Sequence, residues 1–192
     1  HSLRSPYSYL GLHRVAEIAD AFGIELCIRP VLPLVMRGLP VPRPKLMYIV
    51  QDAAREARRR GIGFGLLADP VGRGVERALG VWRYARSEKR ERDYLLNAGE
   101  AIWEKAIDLA TDKGMRKVTG KTGLFWPDAL AAMDSDEWRD EVVANRDEMM
   151  SAGLWGVPVV RIGDFVTWGQ DRDWLLVRHI EELCDAGDGI LV

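Results

Sequence analysis

Near the amino end, apolar residues recur at Leu10, Leu12, Val15, Ile18, Ala19 and Phe22. That spacing predicts a helix with one buried stripe. Ser5 stands before it as a natural N-cap, and Pro6 takes the first helical position, where a missing N–H costs nothing. Gly23 ends the run. The next residues, Ile24-Glu25-Leu26-Cys27-Ile28-Arg29, change the period and predict a short strand with Ile, Leu and Cys on one side. Arg29-Pro30 closes it, because proline cannot continue a central ladder. Prolines at 30, 33, 40, 42 and 44, with Gly38 among them, then predict a rigid extended loop. Such a loop is either a pocket wall beside the first helix or a plain connection between subdomains.

The middle of the chain is helical in pattern. Pro44 opens a second helix to about Arg60, with Leu46, Ile49, Val50, Ala53 and Ala57 as its apolar face. From Pro70 to about Gly123 the helical spacing persists through Leu95, Ala98, Ile102, Ala106 and Leu109. Further helices are predicted from Trp126-Pro127 and from about Ser135 to Met150, where Trp138, Val142 and Met149 share a face. These stripes read as core. The ending differs: Val157-Pro158-Val159-Val160-Arg161-Ile162, the turn Gly163-Asp164 and Phe165-Val166-Thr167-Trp168 predict a hairpin. A last helix follows, with Leu175, Leu176, Ile180 and Leu183 apolar and Asp171 and Asp173 in its first turn. Helix, strand, several helices, hairpin and helix make an α/β order in which a long helical excursion separates the strands.

Composition narrows the function. The 192 residues are 47% hydrophobic and 29% charged, with a formal net charge of −2, so no overall field draws in nucleic acid or an anionic membrane. Arg58-Arg59-Arg60 sits at a helix end, where it complements the dipole and stays solvated. The two cysteines, Cys27 and Cys184, are far apart, and the three histidines do not cluster with them. That excludes a disulfide framework and a metal-ligand spacing and fits a reducing, cytoplasmic compartment. Each cysteine lies in an apolar pattern, which predicts two buried thiols. No apolar run approaches the roughly 20 residues of a membrane span, and no signal peptide is expected.

The chemistry concentrates at the start of the first helix. There a hydroxyl, free N–H groups and a partial positive charge converge, a setting that holds an anion such as a thiolate. Around it lie Ser5-Pro6-Tyr7-Ser8-Tyr9-Leu10, then Arg29-Pro30, Lys45 with Tyr48, Asp52-Ala53-Ala54-Arg55-Glu56-Ala57, Gly156-Val157-Pro158 and Trp168-Gly169-Gln170-Asp171-Arg172. In this order and spacing they resemble the DsbA-type thioredoxin-like superfamily, in the branch of 2-hydroxychromene-2-carboxylate isomerases and kappa-class glutathione transferases. The resemblance covers nearly the whole chain. It implies a thioredoxin-like domain from residues 1–31 and 153–192, lacking its first strand, and an inserted α-helical subdomain over 32–152.

Disulfide oxidoreductases of this fold carry Cys-x-x-Cys where this chain has Ser5-x-x-Ser8. A hydroxyl cannot form a mixed disulfide, so that chemistry is excluded for this motif. The resemblance implies glutathione as cofactor and Ser5 as the catalytic hydroxyl that stabilises its thiolate. Tyr7 and Ser8 are secondary candidates, with Ser8 tightening the first turn. Val157-Pro158 corresponds to the family's cis-proline, whose preceding backbone pairs with the glutathione cysteinyl backbone like an added strand. Gln170 and Asp171 are implied to hold the γ-glutamyl end, and Lys45 to meet a carboxylate. An N-cap role for Asp171 and a solvated Lys45 remain alternatives. Arg55 reads as a buried structural ion pair, with Asp52 or elsewhere, rather than a catalytic group. Leu34, Met36, Trp82 and Trp126 are expected to line the pocket of a small aromatic or electrophilic substrate.

Two positions depart from the family: Ser2, where an acid is common, and Leu39, within Gly38-Leu39-Pro40, where the family has a Gly-Asn step. Three readings follow: a glutathione-dependent isomerase or transferase, a thioredoxin-like binding module without chemistry, and, by fold analogy alone, a disulfide oxidoreductase. The family also points to dimers.

Overall fold

The computed structural model describes residues 1–185. Eight helices follow in order, α1 (Pro6–Phe22), α2 (Arg43–Arg60), α3 (Arg73–Ser87), α4 (Glu91–Trp103), α5 (Asp112–Thr122), α6 (Trp126–Met133), α7 (Trp138–Ser151) and α8 (Asp173–Asp185). Between α7 and α8 lies one hairpin, β1 (Val159–Ile162) and β2 (Phe165–Trp168). It is antiparallel, pairing Val159 with Trp168 and Ile162 with Phe165 around the expected turn.

Two cores hold the chain together. The larger is helical: Trp82, Leu79, Tyr94, Leu95, Ile102, Leu109 and Met115 are buried together with Tyr9 and Leu10 of α1. Its contacts are close enough to need glycine. A Cβ on Gly99 of α4 would lie 2.4 Å from the ring of Tyr9. The Tyr9 hydroxyl in turn donates to the Gly63 carbonyl at 3.1 Å. The smaller core joins Ile18 of α1 to Leu176 and Ile180 of α8, with Val160, Ile162 and Phe165 of the hairpin packed on it. α1 therefore belongs to both cores, and its orientation is fixed along its length. Burial of apolar side chains on this scale, about 1.5–3 kcal/mol each, is what sets the position of its first turn.

Several expectations are corrected. Residues 24–29 form no strand: among the described residues they enter no ladder. Apart from the Ile24 N–H, which caps α1 at the Ala19 carbonyl, their one backbone–backbone partner is His1, whose amino nitrogen donates to the Arg29 carbonyl at 3.1 Å. Their side chains nevertheless alternate, but with Ile24, Leu26 and Ile28 inward and Glu25, Cys27 and Arg29 outward. Cys27 thus shares the polar face, and Cys184 is exposed as well, so neither is a buried thiol. On α2 only Ala53 and Ala57 of the apolar face are buried, while Leu46 is exposed. Arg55 is exposed and not a buried partner of Asp52. Arg60 is instead the half-buried member of that basic run, near Glu56 at 3.7 Å. Trp82 is wholly in the core and cannot line a pocket. The last helix begins at Asp173, so Asp171 lies before it.

Candidate functional site

The site is built outward from the first turn of α1. Ser5 has extended backbone angles and caps the helix: its Oγ accepts from the Ser8 N–H at 3.1 Å. Its carbonyl accepts from the Tyr9 N–H at 3.1 Å. The Ser5 hydroxyl proton is left free to donate, and the Tyr7 N–H has no protein partner among the described residues. Ser8 is buried and structural, since its Oγ accepts from the Ser2 N–H at 3.2 Å. Ser2 lies at the position where an acid was expected, and here its backbone tightens the approach to the helix.

The carboxyl-terminal half meets α1 at Gly11. A Cβ there would lie 3.3 Å from Pro158 Cγ and 3.5 Å from Gln170 Cβ, so the helix and these two residues are in direct contact. The Val157–Pro158 peptide is cis, as the resemblance implies. The Pro158 carbonyl accepts from the Gly169 N–H at 2.9 Å, which ties the cis-proline loop to Gln170. The backbone N–H and carbonyl of Val157 have no partner among the described residues. An extended peptide laid along Val157 could take both.

A link that was not expected joins α1 to α2. The Tyr7 hydroxyl donates to Asp52 Oδ2 at 2.7 Å. Burial and this carboxylate push the Tyr7 phenol well above its ordinary range, and the charges of Asp52 and Asp171 add to the effect. Asp171 is therefore near Tyr7, although its carboxylate also pairs with Arg172 at 2.5 Å. Arg60 closes the other side by donating to the Gln170 carbonyl at 2.9 Å. The sequence pattern gave no signal for these two links.

Pro158 and Gln170 thus lie against α1 at Gly11, in its second turn, and the charge of Asp171 reaches Tyr7, while the bonds of Ser5 run only to Ser2, Ser8 and Tyr9 among the described residues. Lys45 does not join them by any bond. It is exposed in the first turn of α2, with its Nζ 5.9 Å from the Tyr48 ring. It lies three and seven residues before Tyr48 and Asp52, on the same helix face. A cavity of about 580 Å3 reaches Ser8, Val157 and Pro158, but Ser5 is not among its walls; it runs between residues 24–29 and β1. Among the described residues no cluster of His, Cys, Asp or Glu is suited to a metal, and no helix is long and apolar enough to cross a membrane.

Comparisons with known proteins bear on the family and the fold. The chain is 26% identical over 196 residues to a 2-hydroxychromene-2-carboxylate isomerase of Pseudomonas putida, covering 94% of this chain and 91% of that protein. It is 23% identical over 180 residues to a protein of the same name from Sphingobium xenophagum, covering 88% and 89%. A solved 2-hydroxychromene-2-carboxylate isomerase superposes with a TM-score of 0.82 at 22% identity, over 100% of this chain and 97% of that one. The profile of the DSBA-like thioredoxin domain matches residues 1–181, and the chain belongs to that family.

Proposed function

We propose that this protein is a glutathione-dependent isomerase acting on an unsaturated aromatic 2-oxo acid or a related electrophile. The observation that carries this reading is the Ser5 hydroxyl, held at the first turn of α1 by the Ser8 N–H with its own proton free. The isomerase names of the two relatives support the reaction class. Glutathione fits the residues present. The open backbone of Val157 suits the cysteinyl backbone, and Gln170 and Asp171, next to Pro158 and Tyr7, suit the γ-glutamyl end. When bound, glutathione would supply a thiolate that adds reversibly to a conjugated double bond, letting it rotate before elimination.

The protein's part is to keep that sulfur charged and to place it. The Ser5 hydroxyl donates a hydrogen bond, the unpaired Tyr7 N–H offers a second, and the positive end of α1 adds its field. Lys45, on the face of α2 that carries Asp52, is the residue assigned to a carboxylate of glutathione or substrate. We take the protein to be cytoplasmic, as its cysteine usage suggests, and a homodimer, as the family resemblance suggests. Transfer of glutathione to an electrophile, as in kappa-class transferases, would use the same thiolate without the elimination step.

Isomerisation of 2-hydroxychromene-2-carboxylate with and without glutathione tests the reading. Activity should require the thiol. Ser5→Ala should lower turnover by roughly 10- to 150-fold, the equivalent of a hydrogen bond to a charged group worth about 1.5–3 kcal/mol. Calorimetric titration with glutathione should give heat of defined stoichiometry. A thermally silent titration with no activity would leave a binding module instead.

A further inference from the structure

One arginine beside the cis-proline loop has no acid to answer its charge. Arg37 ends a single 3-10 turn, Leu34–Arg37, in the proline-rich loop between α1 and α2. Its Nη2 donates to the Trp155 carbonyl at 3.0 Å, the one partner it has among the described residues. Its Nε is enclosed without a partner, while Nη1 is neither enclosed nor bonded. The neighbouring cation, Arg146, is paired with Asp147 at 2.6 Å. Burial, with the charge of Arg146, holds the Arg37 guanidinium below its ordinary range. The group still carries its charge at neutral pH, in surroundings that solvate it poorly, which raises what an arriving anion gains.

What adjoins that charge is apolar. Val35 and Leu39, two residues to either side in the same loop, are exposed. So are Trp155 and Trp168, whose rings meet edge to face with centroids 5.6 Å apart. Gly156 lets them close up, since a Cβ there would lie 2.9 Å from the Trp168 ring. Exposed rings next to an unpaired guanidinium complement a ligand with a flat apolar body and an anionic end. A bare phosphate would leave the rings uncovered, and a neutral arene would leave the charge unmet. Position adds to the case. Two residues of chain separate the Trp155 carbonyl from Val157, a reach of about 7 Å at most. The open backbone of Val157 is the group assigned above to the cysteinyl residue of glutathione. A ligand held by Arg37 would therefore lie beside the thiol, not at the γ-glutamyl end.

We propose that Arg37 anchors the carboxylate of the substrate, its Nη1 donating to a carboxylate oxygen while the arene rests on Trp155 and Trp168. The assignment rests on the isomerase reading and narrows it: the substrate is an aryl acid recognised by its charge, and Lys45 is left to glutathione. Arg37 touches no reacting atom. It fixes which end of the substrate faces the sulfur, so its loss falls on KM and on the choice between charged and neutral ligands, not on the chemical step.

The test uses the full chain with saturating glutathione and two calorimetric probes of matched shape, 2-naphthoate and 2-naphthamide. The parent should bind the acid about tenfold or more tightly than the amide, as a hydrogen bond between charged groups allows. Arg37→Met should bind both alike, with the amide affinity and the glutathione Kd held within about twofold, and Arg37→Lys should recover most of the preference. In the isomerase assay Arg37→Met should raise KM for 2-hydroxychromene-2-carboxylate about tenfold and change kcat little. A parent that does not prefer the acid, or a preference that survives in Arg37→Met, would overturn the anchor. An Arg37-dependent preference in a protein that isomerises nothing would sink the isomerase reading and keep Arg37 as the anchor of an aryl acid. Isomerisation with KM unchanged in Arg37→Met would do the reverse.

Discussion

Two helical glycines, one buried and one exposed, should respond to the same substitution with opposite sign. Gly80 of α3 lies against α6, and a Cβ there would stand 2.2 Å from the Ala132 carbonyl oxygen and 3.1 Å from its carbon. Real Cβ contacts do not fall below 3.0 Å, so the two helices must part by roughly 0.8 Å at this point. The obstacle is backbone and cannot rotate away. Such overpacking costs up to about 3 kcal/mol. Alanine returns about 1 kcal/mol through its helix propensity, leaving Gly80→Ala about 2 kcal/mol less stable. Gly120 of α5 has nothing within 4 Å of its virtual Cβ. Gly120→Ala therefore keeps only the propensity gain, up to about 1 kcal/mol. For a chain of this size each kcal/mol moves Tm by about 2–4 °C. Thermal unfolding followed by circular dichroism should show Gly80→Ala melting about 4–8 °C lower and Gly120→Ala about 2–4 °C higher. A rise in Tm for Gly80→Ala would refute the claimed helix contact, and a fall for Gly120→Ala would refute the claim of open space.

Other expected outcomes follow from single groups. Arg77 is 6% exposed and donates to the Ala110 carbonyl at 2.8 Å and to Asp112, so Arg77→Met should cost about 2–3 kcal/mol, read as a lowered urea midpoint. Tyr7→Phe removes the 2.7 Å bond to Asp52 and should lower stability by about 1 kcal/mol in the same assay, with wild-type stability refuting that link. The Arg4 guanidinium, 2.6 Å from Asp69, holds that carboxyl below its ordinary 3.8. An acid with a lowered folded pKa stabilises above its unfolded value and loses that contribution as pH falls through the folded one. Melting temperature should thus drop from about pH 4 downward, and Asp69→Asn should flatten that part of the profile; an unchanged profile would remove the pair from the account.

The fold was legible where local rules and tertiary packing agree. Ser5-Pro6 and Gly23 marked both ends of α1, and the Gly163-Asp164 turn fixed the hairpin register. The cis peptide before Pro158 also matched the expectation carried by its motif. Legibility failed where the outcome depends on a neighbour. Residues 24–29 have the composition and alternation of a strand, yet a strand is defined by its ladder, and among the described residues the one backbone that pairs with theirs beyond the end of α1 is that of His1, at Arg29. The inward side chains are Ile24, Leu26 and Ile28, so a period-two reading that grouped Cys27 with them placed the thiol on the wrong face. Trp82 was mistaken for a pocket wall because an aromatic in a helical stripe has the same signature in a core as at a site.

The candidate site divides in the same way. The Ser5 cap was readable because it is a property of the local chain, and the cis peptide before Pro158 was carried by its motif. The Tyr7–Asp52 and Arg60–Gln170 bonds were not, because each joins residues more than 40 positions apart. Those two bonds tie the middle of α2 to α1 and its last residue to the loop that would hold glutathione. Each is a polar bond between half-buried groups, worth little when solvated and more when water is excluded. Ligand binding at this end of α1 would remove that water. The same bonds that contribute modestly to the free protein would then hold α2, and Lys45 on it, in place against the ligand. Loss of the Tyr7 hydroxyl should accordingly weaken glutathione binding more than its small effect on folding suggests, by about tenfold if the bond strengthens by some 1.4 kcal/mol on desolvation. Equal glutathione affinity in Tyr7→Phe and the parent, measured by calorimetry, would show that α2 is held by its core contacts alone.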